Sequence, residues 1–387
     1  MFCSVPFLDL SRQSRPLENS IAAALREVVH SGHFVLGPEV RQFEEHLAKY
    51  SEASHAIACA SGSEALLMAL MALGIGAGDE VITPSFTFFA TASAITRLGA
   101  TPVFVDIVPE TFHLDPRDVA ARITPRTRAI LVVHLFGQAV DMAPFAELSS
   151  RHKIPLVEDV AQAIGAETYW KGEMRRTGSM GEVNCFSFYP TKNLGAMGDA
   201  GALTTQDAAM AEKLRLLRGH GMEPRYFHKI IGINSRLDAF QGAVLNIKFP
   251  YLEEWILARQ AIALRYAELF RASGLEEEIT LPQPPVQGRH VWNQYCIRIH
   301  RGYRDRLRQF LQERGVGSEI YYPLGLHEQE CFRHLGWRLG MLPQTEHISR
   351  EILALPIFPG LTEAEQAEVV KQIAAFFHEN HFLHDSC

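Results

Sequence analysis

Five short runs, residues 55–60, 80–83, 102–106, 128–135 and 154–158, carry little or no polar alternation, and segments with helical periodicity lie between them. A strand exposed on one face alternates apolar and polar residues, whereas a strand covered on both faces does not. With helices predicted over 63–73 and 91–98, the latter closed by Gly99, this rhythm describes an α/β fold: a mostly parallel sheet between two layers of helices. Upstream, a helix over 20–29 is followed by the loop Ser31-Gly-His-Phe-Val-Leu-Gly-Pro38, and a second helix begins near Glu39.

The texture changes after a helix predicted over 238–252. A mixed segment, 253–270, leads to the proline-rich Leu281-Pro-Gln-Pro-Pro285, a strand over 292–299, and helices over 303–314 and 363–377. A chain of 387 residues exceeds what one small core organises. Two domains are expected, a large one over 1–250 and a smaller C-terminal α/β domain over 251–387.

Composition narrows the function. With 47% hydrophobic residues and a formal charge of −7, the chain reads as an ordinary globular protein without the basic footprint of a nucleic-acid binder. No run of about 18 uninterrupted apolar residues predicts a membrane span. Residues 1–12 lack the basic start and apolar core of a signal peptide, so a cytoplasmic protein is expected. Cys3, Cys59, Cys185, Cys296, Cys331 and Cys387 form no Cys-x-x-Cys pair, which suggests neither a zinc site nor a disulfide framework.

Four features carry chemistry. At Ser61-Gly-Ser-Glu-Ala-Leu-Leu67 a strand passes into a helix through small residues, offering free N–H groups, with Gly62 and Ser63 at the helix start, to a phosphate. Phe88, in the loop leaving a strand, presents a flat face for a heteroaromatic ring. Asp159 ends an apolar run and so projects from the carboxyl end of a parallel strand, where α/β sheets hold ligands and where a protonated pyridine nitrogen is a fitting partner. Gln162, opening a short helical stretch, is placed to donate to an oxygen of the same ligand. Lys192 is a lone amine among aromatics, small residues and glycines. Desolvation there lowers its pKa towards what attack on a carbonyl requires.

Each feature also has a structural alternative: an ordinary helix N-cap, a capping carboxylate, core phenylalanines, a lysine at the lip of a turn. Gly74-Ile-Gly-Ala-Gly78 is no dinucleotide fingerprint, because its spacing is wrong and it follows a helix and precedes a strand. A phosphate cradle, an aromatic face, a strand-end acid and a desolvated lysine together describe one ligand, pyridoxal 5′-phosphate.

At these residues the chain resembles the DegT/DnrJ/EryC1/StrS family of sugar aminotransferases, members of the fold-type I pyridoxal phosphate enzymes. The likeness covers Leu36-Gly-Pro-Glu39, Ser61-Gly-Ser-Glu64, Gly78-Asp-Glu-Val-Ile-Thr-Pro-Ser85, Asp159-Val-Ala-Gln162, Ser187-Phe-Tyr-Pro-Thr-Lys-Asn193, Gly198-Asp-Ala-Gly201, Asn234-Ser-Arg-Leu-Asp238 and Leu355-Pro-Ile-Phe-Pro-Gly360. The resemblance implies that Lys192 forms the Schiff base and shuttles protons, Asp159 holds the pyridinium, Gln162 bonds the ring oxygen and Phe88 stacks on the ring. It implies that Gly62, Ser63 and Ser187 bind the phosphate, joined by Asn234 from the neighbouring subunit of a homodimer. The reaction it implies moves an amino group, commonly from L-glutamate, to a keto carbon of a nucleotide-linked sugar, for surface polysaccharides or glycosylated metabolites.

A sister branch that removes a hydroxyl has histidine where this chain has Lys192, which argues against a sugar dehydratase. A regulatory relative without turnover is a further alternative. The chain departs from the family at Val160, Ala200 and the loop Tyr321-Tyr-Pro-Leu-Gly-Leu-His327, whose Tyr321 and His327 are candidate substrate contacts. Arg218, His220, Arg225, Lys229 and Arg236 are candidate contacts for the nucleotide phosphates.

Overall fold

The computed structural model describes residues 4–384, so Cys3 and Cys387 lie outside the described residues. The strands are β1 (His55–Cys59), β2 (Glu80–Pro84), β3 (Thr101–Val105), β4 (Thr127–Val133), β5 (Leu156–Asp159), β6 (Glu167–Trp170), β7 (Glu173–Arg176), β8 (Val183–Ser187), β9 (Gly201–Thr205), β10 (Ile279–Thr280), β11 (Tyr295–Ile299) and β12 (Ile352–Leu355). Seven of them form one sheet in the order β1-β9-β8-β5-β4-β2-β3. Only β9 runs against its neighbours; the pairs β2–β3, β2–β4, β4–β5 and β5–β8 are parallel.

Both faces of the sheet are buried, as the missing polar alternation requires. In β1, Ile57 and Cys59 enter a core with the helix Gly62–Ala72, while Ala56 and Ala58 enter a second core with the helices Pro38–Tyr50 and Ala239–Lys248. The architecture is therefore a three-layer α/β/α arrangement around a mostly parallel sheet, consistent with fold type I.

Three departures from the sequence reading have physical reasons. β8 and β9 were not expected, because Asn184 interrupts β8; its buried amide is satisfied by the carbonyls of Gly178 and Thr204. Residues 253–270, read as mixed, belong to the 22-residue helix Leu252–Ser273, closed by Gly274 with φ 68°. Gln162 opens no helical stretch; it stands in consecutive turns after β5.

β10, β11 and β12 form an antiparallel sheet. It packs with the helices Leu252–Ser273, Arg304–Glu313 and Glu363–His384 around Tyr266, Tyr295, Leu307 and Ile373. Val5 enters this same core, its N–H donating to the Gly315 carbonyl at 2.9 Å. Among the described residues, no helix is long and apolar enough to cross a membrane.

Candidate active site

The parallel strands β2, β4, β5 and β8 end on one edge of the sheet, and the register aligns Val133, Asp159 and Cys185 there. The residues that follow line a cavity of about 490 Å³. Gly62 and Ser63 open the helix Gly62–Ala72, whose N-cap Ser61 accepts from the Glu64 N–H at 3.2 Å. The loop after β2 brings Phe88; β5 ends on Asp159; Gln162 follows; β8 ends on Ser187; and Lys192 lies on the loop beyond it.

Close approach fixes two glycines. A Cβ on Gly62 would stand 2.6 Å from the Ser187 Cβ, and one on Gly201 would stand 2.3 Å from the Ser61 carbonyl carbon. Only hydrogen at both positions lets the helix start, the end of β8 and the start of β9 converge. This convergence places a helix N-terminus, with its unpaired N–H groups, beside the Ser187 hydroxyl.

The loop bearing Lys192 is pinned at several points. The Phe188 N–H donates to Ala200 O and the Ala196 N–H to Phe188 O, both at 2.8 Å. Asn193 donates to Val291 O at 2.8 Å and accepts from Asn293 at 3.0 Å, while Lys248 Nζ donates to Gly195 O. Burial lowers the Lys192 pKa to about 8, against the pull of the Asp159 carboxylate in the other direction. An amine so placed is a nucleophile near neutral pH.

Asp159 is 5% exposed. Burial pushes its carboxyl above the usual range, opposed by the Ala161 N–H at 3.1 Å, the Thr91 hydroxyl at 3.0 Å and the charge of Lys192. Behind it, Glu158 is fully buried and accepts from His134 Nε2 at 2.9 Å and from the N–H groups of Gly178, Met180 and Gly181. The Val140 N–H donates to His134 Nδ1, so the imidazole proton sits on Nε2 and points at Glu158. Gln162 is oriented by the Phe136 N–H, which donates to its Oε1 at 2.6 Å, and its Nε2 donates to the Tyr322 hydroxyl at 3.3 Å.

Gly62, Ser63, Phe88, Asp159, Gln162, Ser187, Lys192 and Tyr321 thus come together. The other predicted residues lie elsewhere. Arg218 is no free phosphate contact: it is 8% exposed, paired with Glu44 at 2.6 Å and bonded to Ala58 O at 2.7 Å, and extracting a buried paired charge costs several kcal/mol. His327 is also no wall of the cavity: it is buried between Ser85 Oγ at 2.7 Å and Glu346 at 3.4 Å. Asn234 is exposed and accepts from Arg236 at 3.1 Å. His220 is exposed, Arg225 lies over the Tyr226 ring, and Lys229 pairs with Glu223. Thr91, His134 and Tyr322 were missed. Nothing in the sequence separates Thr91 from its neighbouring threonines, while the strand-end position of His134 was a usable signal.

Residues 16–374 match the DegT/DnrJ/EryC1/StrS aminotransferase family. The chain is 47% identical, over 97% of its length and 99% of the relative's, to a pleiotropic regulatory protein of Geobacillus stearothermophilus. It is 40% identical, over 97% and 98%, to the UDP-N-acetyl-3-dehydro-α-D-glucosamine 3-aminotransferase of Acidithiobacillus ferrooxidans. The crystal structure of S. venezuelae DesV in complex with a ketimine intermediate superposes with a TM-score of 0.91 at 41% identity, covering 96% of this chain and 98% of that one. A family match across nearly the whole chain, over a cavity that gathers the lysine, the strand-end acid and the helix start, establishes that this protein belongs to the DegT/DnrJ/EryC1/StrS aminotransferase family.

Proposed function

We propose that the chain is a pyridoxal 5′-phosphate-dependent aminotransferase that moves an amino group, from L-glutamate, to a keto carbon of a nucleotide-linked sugar. The observation that carries this reading is that Lys192 and Asp159 line one cavity, an amine with its pKa lowered to about 8 and a buried strand-end acid. The named 3-aminotransferase of A. ferrooxidans supports the substrate class.

The donor set fits the cofactor. The helix start at Gly62 and Ser63, with the Ser187 hydroxyl, would hold the phosphate, and Phe88, 57% exposed at the cavity wall, would cover the ring. Asp159 keeps its remaining lone pairs for a ring N–H, since Ala161 and Thr91 each take only one. When bound, the cofactor supplies an electron sink for the carbon that bears the amine. Lys192 Nζ carries the proton to and from that carbon, and Gln162 Nε2 orients the ring oxygen.

The reading includes a cytoplasmic homodimer with shared sites and the division of the chain into 1–250 and 251–387. Asn234 does not line its own cavity, and the nearby Tyr226, Phe227 and Ile231 expose apolar surface that a second copy would cover. His220, Arg225, Lys229 and Arg236, on and beside that exposed loop, would meet the nucleotide phosphates across the interface.

Borohydride reduction of the protein with pyridoxal 5′-phosphate, followed by peptide mass mapping, tests the reading. An adduct on the peptide bearing Lys192 is expected, together with 2-oxoglutarate formed in step with an amino sugar from a UDP- or dTDP-linked keto-sugar. An adduct on another peptide, or none, removes the reading. The similarity to a pleiotropic regulatory protein favours a second reading, a ligand-binding regulator without turnover. Adduct formation at Lys192 with no turnover on any such keto-sugar would select it.

A further inference from the structure

Tyr322 enters the cavity from the C-terminal part of the chain and meets Gln162 at its wall. Its ring packs edge-on against Phe86 at 6.0 Å and tilts against Phe88 at 6.3 Å, so the hydroxyl has one fixed direction. That oxygen accepts from Gln162 Nε2, and among the described residues no acceptor takes the Tyr322 O–H. A phenol both donates and accepts, so the donor is left for whatever occupies the cavity. Gln162 cannot rotate to exchange its roles without losing the 2.6 Å bond from the Phe136 N–H.

We infer that Tyr322 is a second hydrogen-bond donor, beside Gln162, to the anionic ring oxygen of the bound cofactor, and that this donor holds down the proton affinity of the oxygen and of the Lys192 nitrogen joined beside it. The inference rests on the pyridoxal phosphate reading of the site. Its reason is general: a donor stabilises the charged form of an oxygen and lowers the pKa of the group that shares its proton. Asp159 of β5, Cys296 of β11 and Tyr321 are the ionisable groups that bear on Tyr322. Burial raises the pKa of Cys296 and Tyr321, as it raises that of Tyr322 itself, so near neutral pH these three stay protonated. Asp159, the remaining group, is present in every variant below.

The measurement is the pH titration of the visible absorbance of the protein loaded with pyridoxal 5′-phosphate. Tyr322→Phe keeps the ring among Phe86 and Phe88 and removes the hydroxyl, both the free donor and the acceptor of the Gln162 Nε2 bond, an effect on Gln162 that the Gln162→Leu background below eliminates. The midpoint is expected to rise by about one pH unit, a tenfold gain in proton affinity, while borohydride still traps the cofactor on Lys192. An unmoved midpoint with Lys192 still trapped overturns the role of Tyr322 and leaves the cofactor reading standing. Failure to trap Lys192 in the unsubstituted protein sinks the cofactor reading itself. Gln162→Leu supplies an independent arm: its midpoint should lie below that of the Gln162→Leu/Tyr322→Phe double variant, and equal midpoints overturn the inference.

Discussion

The Thr91 hydroxyl donates to the Asp159 carboxylate across 3.0 Å, and Thr87 stands 3.2 Å behind it, so a helix on one side of the sheet edge fixes the acid at the end of β5. With the Ala161 N–H on the other oxygen, the carboxylate is held in one orientation.

Thr91→Val removes this donor at nearly constant volume. A hydrogen bond to a charged group is worth about 1.5–3 kcal/mol, so cofactor affinity should fall at least tenfold by absorbance titration. Thr91→Ser should restore most of it. A Thr91→Val protein with undiminished affinity would show that the remaining contacts position Asp159 alone.

Because the Lys192 pKa is lowered to about 8, the apoprotein at pH 7 holds roughly a tenth of this amine in its free form. The stopped-flow rate of combination with pyridoxal 5′-phosphate should therefore climb through about pH 8 and level above it. Stability follows the same shift. The folded protein binds this proton less readily than the unfolded chain, so its apo form gains stability as pH rises from about 8 towards the ordinary lysine value. Lys192→Met should abolish that gain and raise the melting temperature of the apoprotein near neutral pH, since it removes a buried amine that is costly to charge.

Glu158 is tested by stability. Burial alone would raise its pKa, but His134 and the backbone N–H groups of Gly178 and Gly181 bring it below the ordinary carboxylate value. Its contribution is then complete above that ordinary value and is lost as pH falls through the lower folded one. Glu158→Ala leaves several buried donors unpaired and should cost about 3–5 kcal/mol in urea unfolding. A loss within the range of a surface substitution would contradict the geometry.

Gly62→Ala forces a Cβ to within 2.6 Å of the Ser187 Cβ, and neither the helix start nor the strand end yields cheaply. The expected cost is about 1–3 kcal/mol of stability, with weakened binding of inorganic phosphate by calorimetry. Equal phosphate binding in the variant would remove the helix start from the anion site.

Much of this was legible in the sequence because it is written locally. The runs at β2, β4 and β5 lack polar alternation whatever their partners, and a residue that ends such a run, as Asp159 does, must stand at the strand edge. The amine of Lys192 lies among small and aromatic residues in its own segment. Arg218 and His327 show the limit: their side-chain types suit anion or sugar binding, and the fold spends them instead on Glu44 and on Ser85 with Glu346.

The sequence by itself determined the layered α/β architecture and the chemistry available at the strand ends, because hydrophobic runs and helix starts depend on neighbours a few residues away. Only the tertiary structure decided that β9 runs antiparallel, that Thr91 serves Asp159 and that Tyr322 meets Gln162. Those last two contacts join residues 68 and 160 positions apart. The partner of a buried polar side chain is set by whichever distant segment the packing brings within hydrogen-bond reach, and no local pattern encodes that choice.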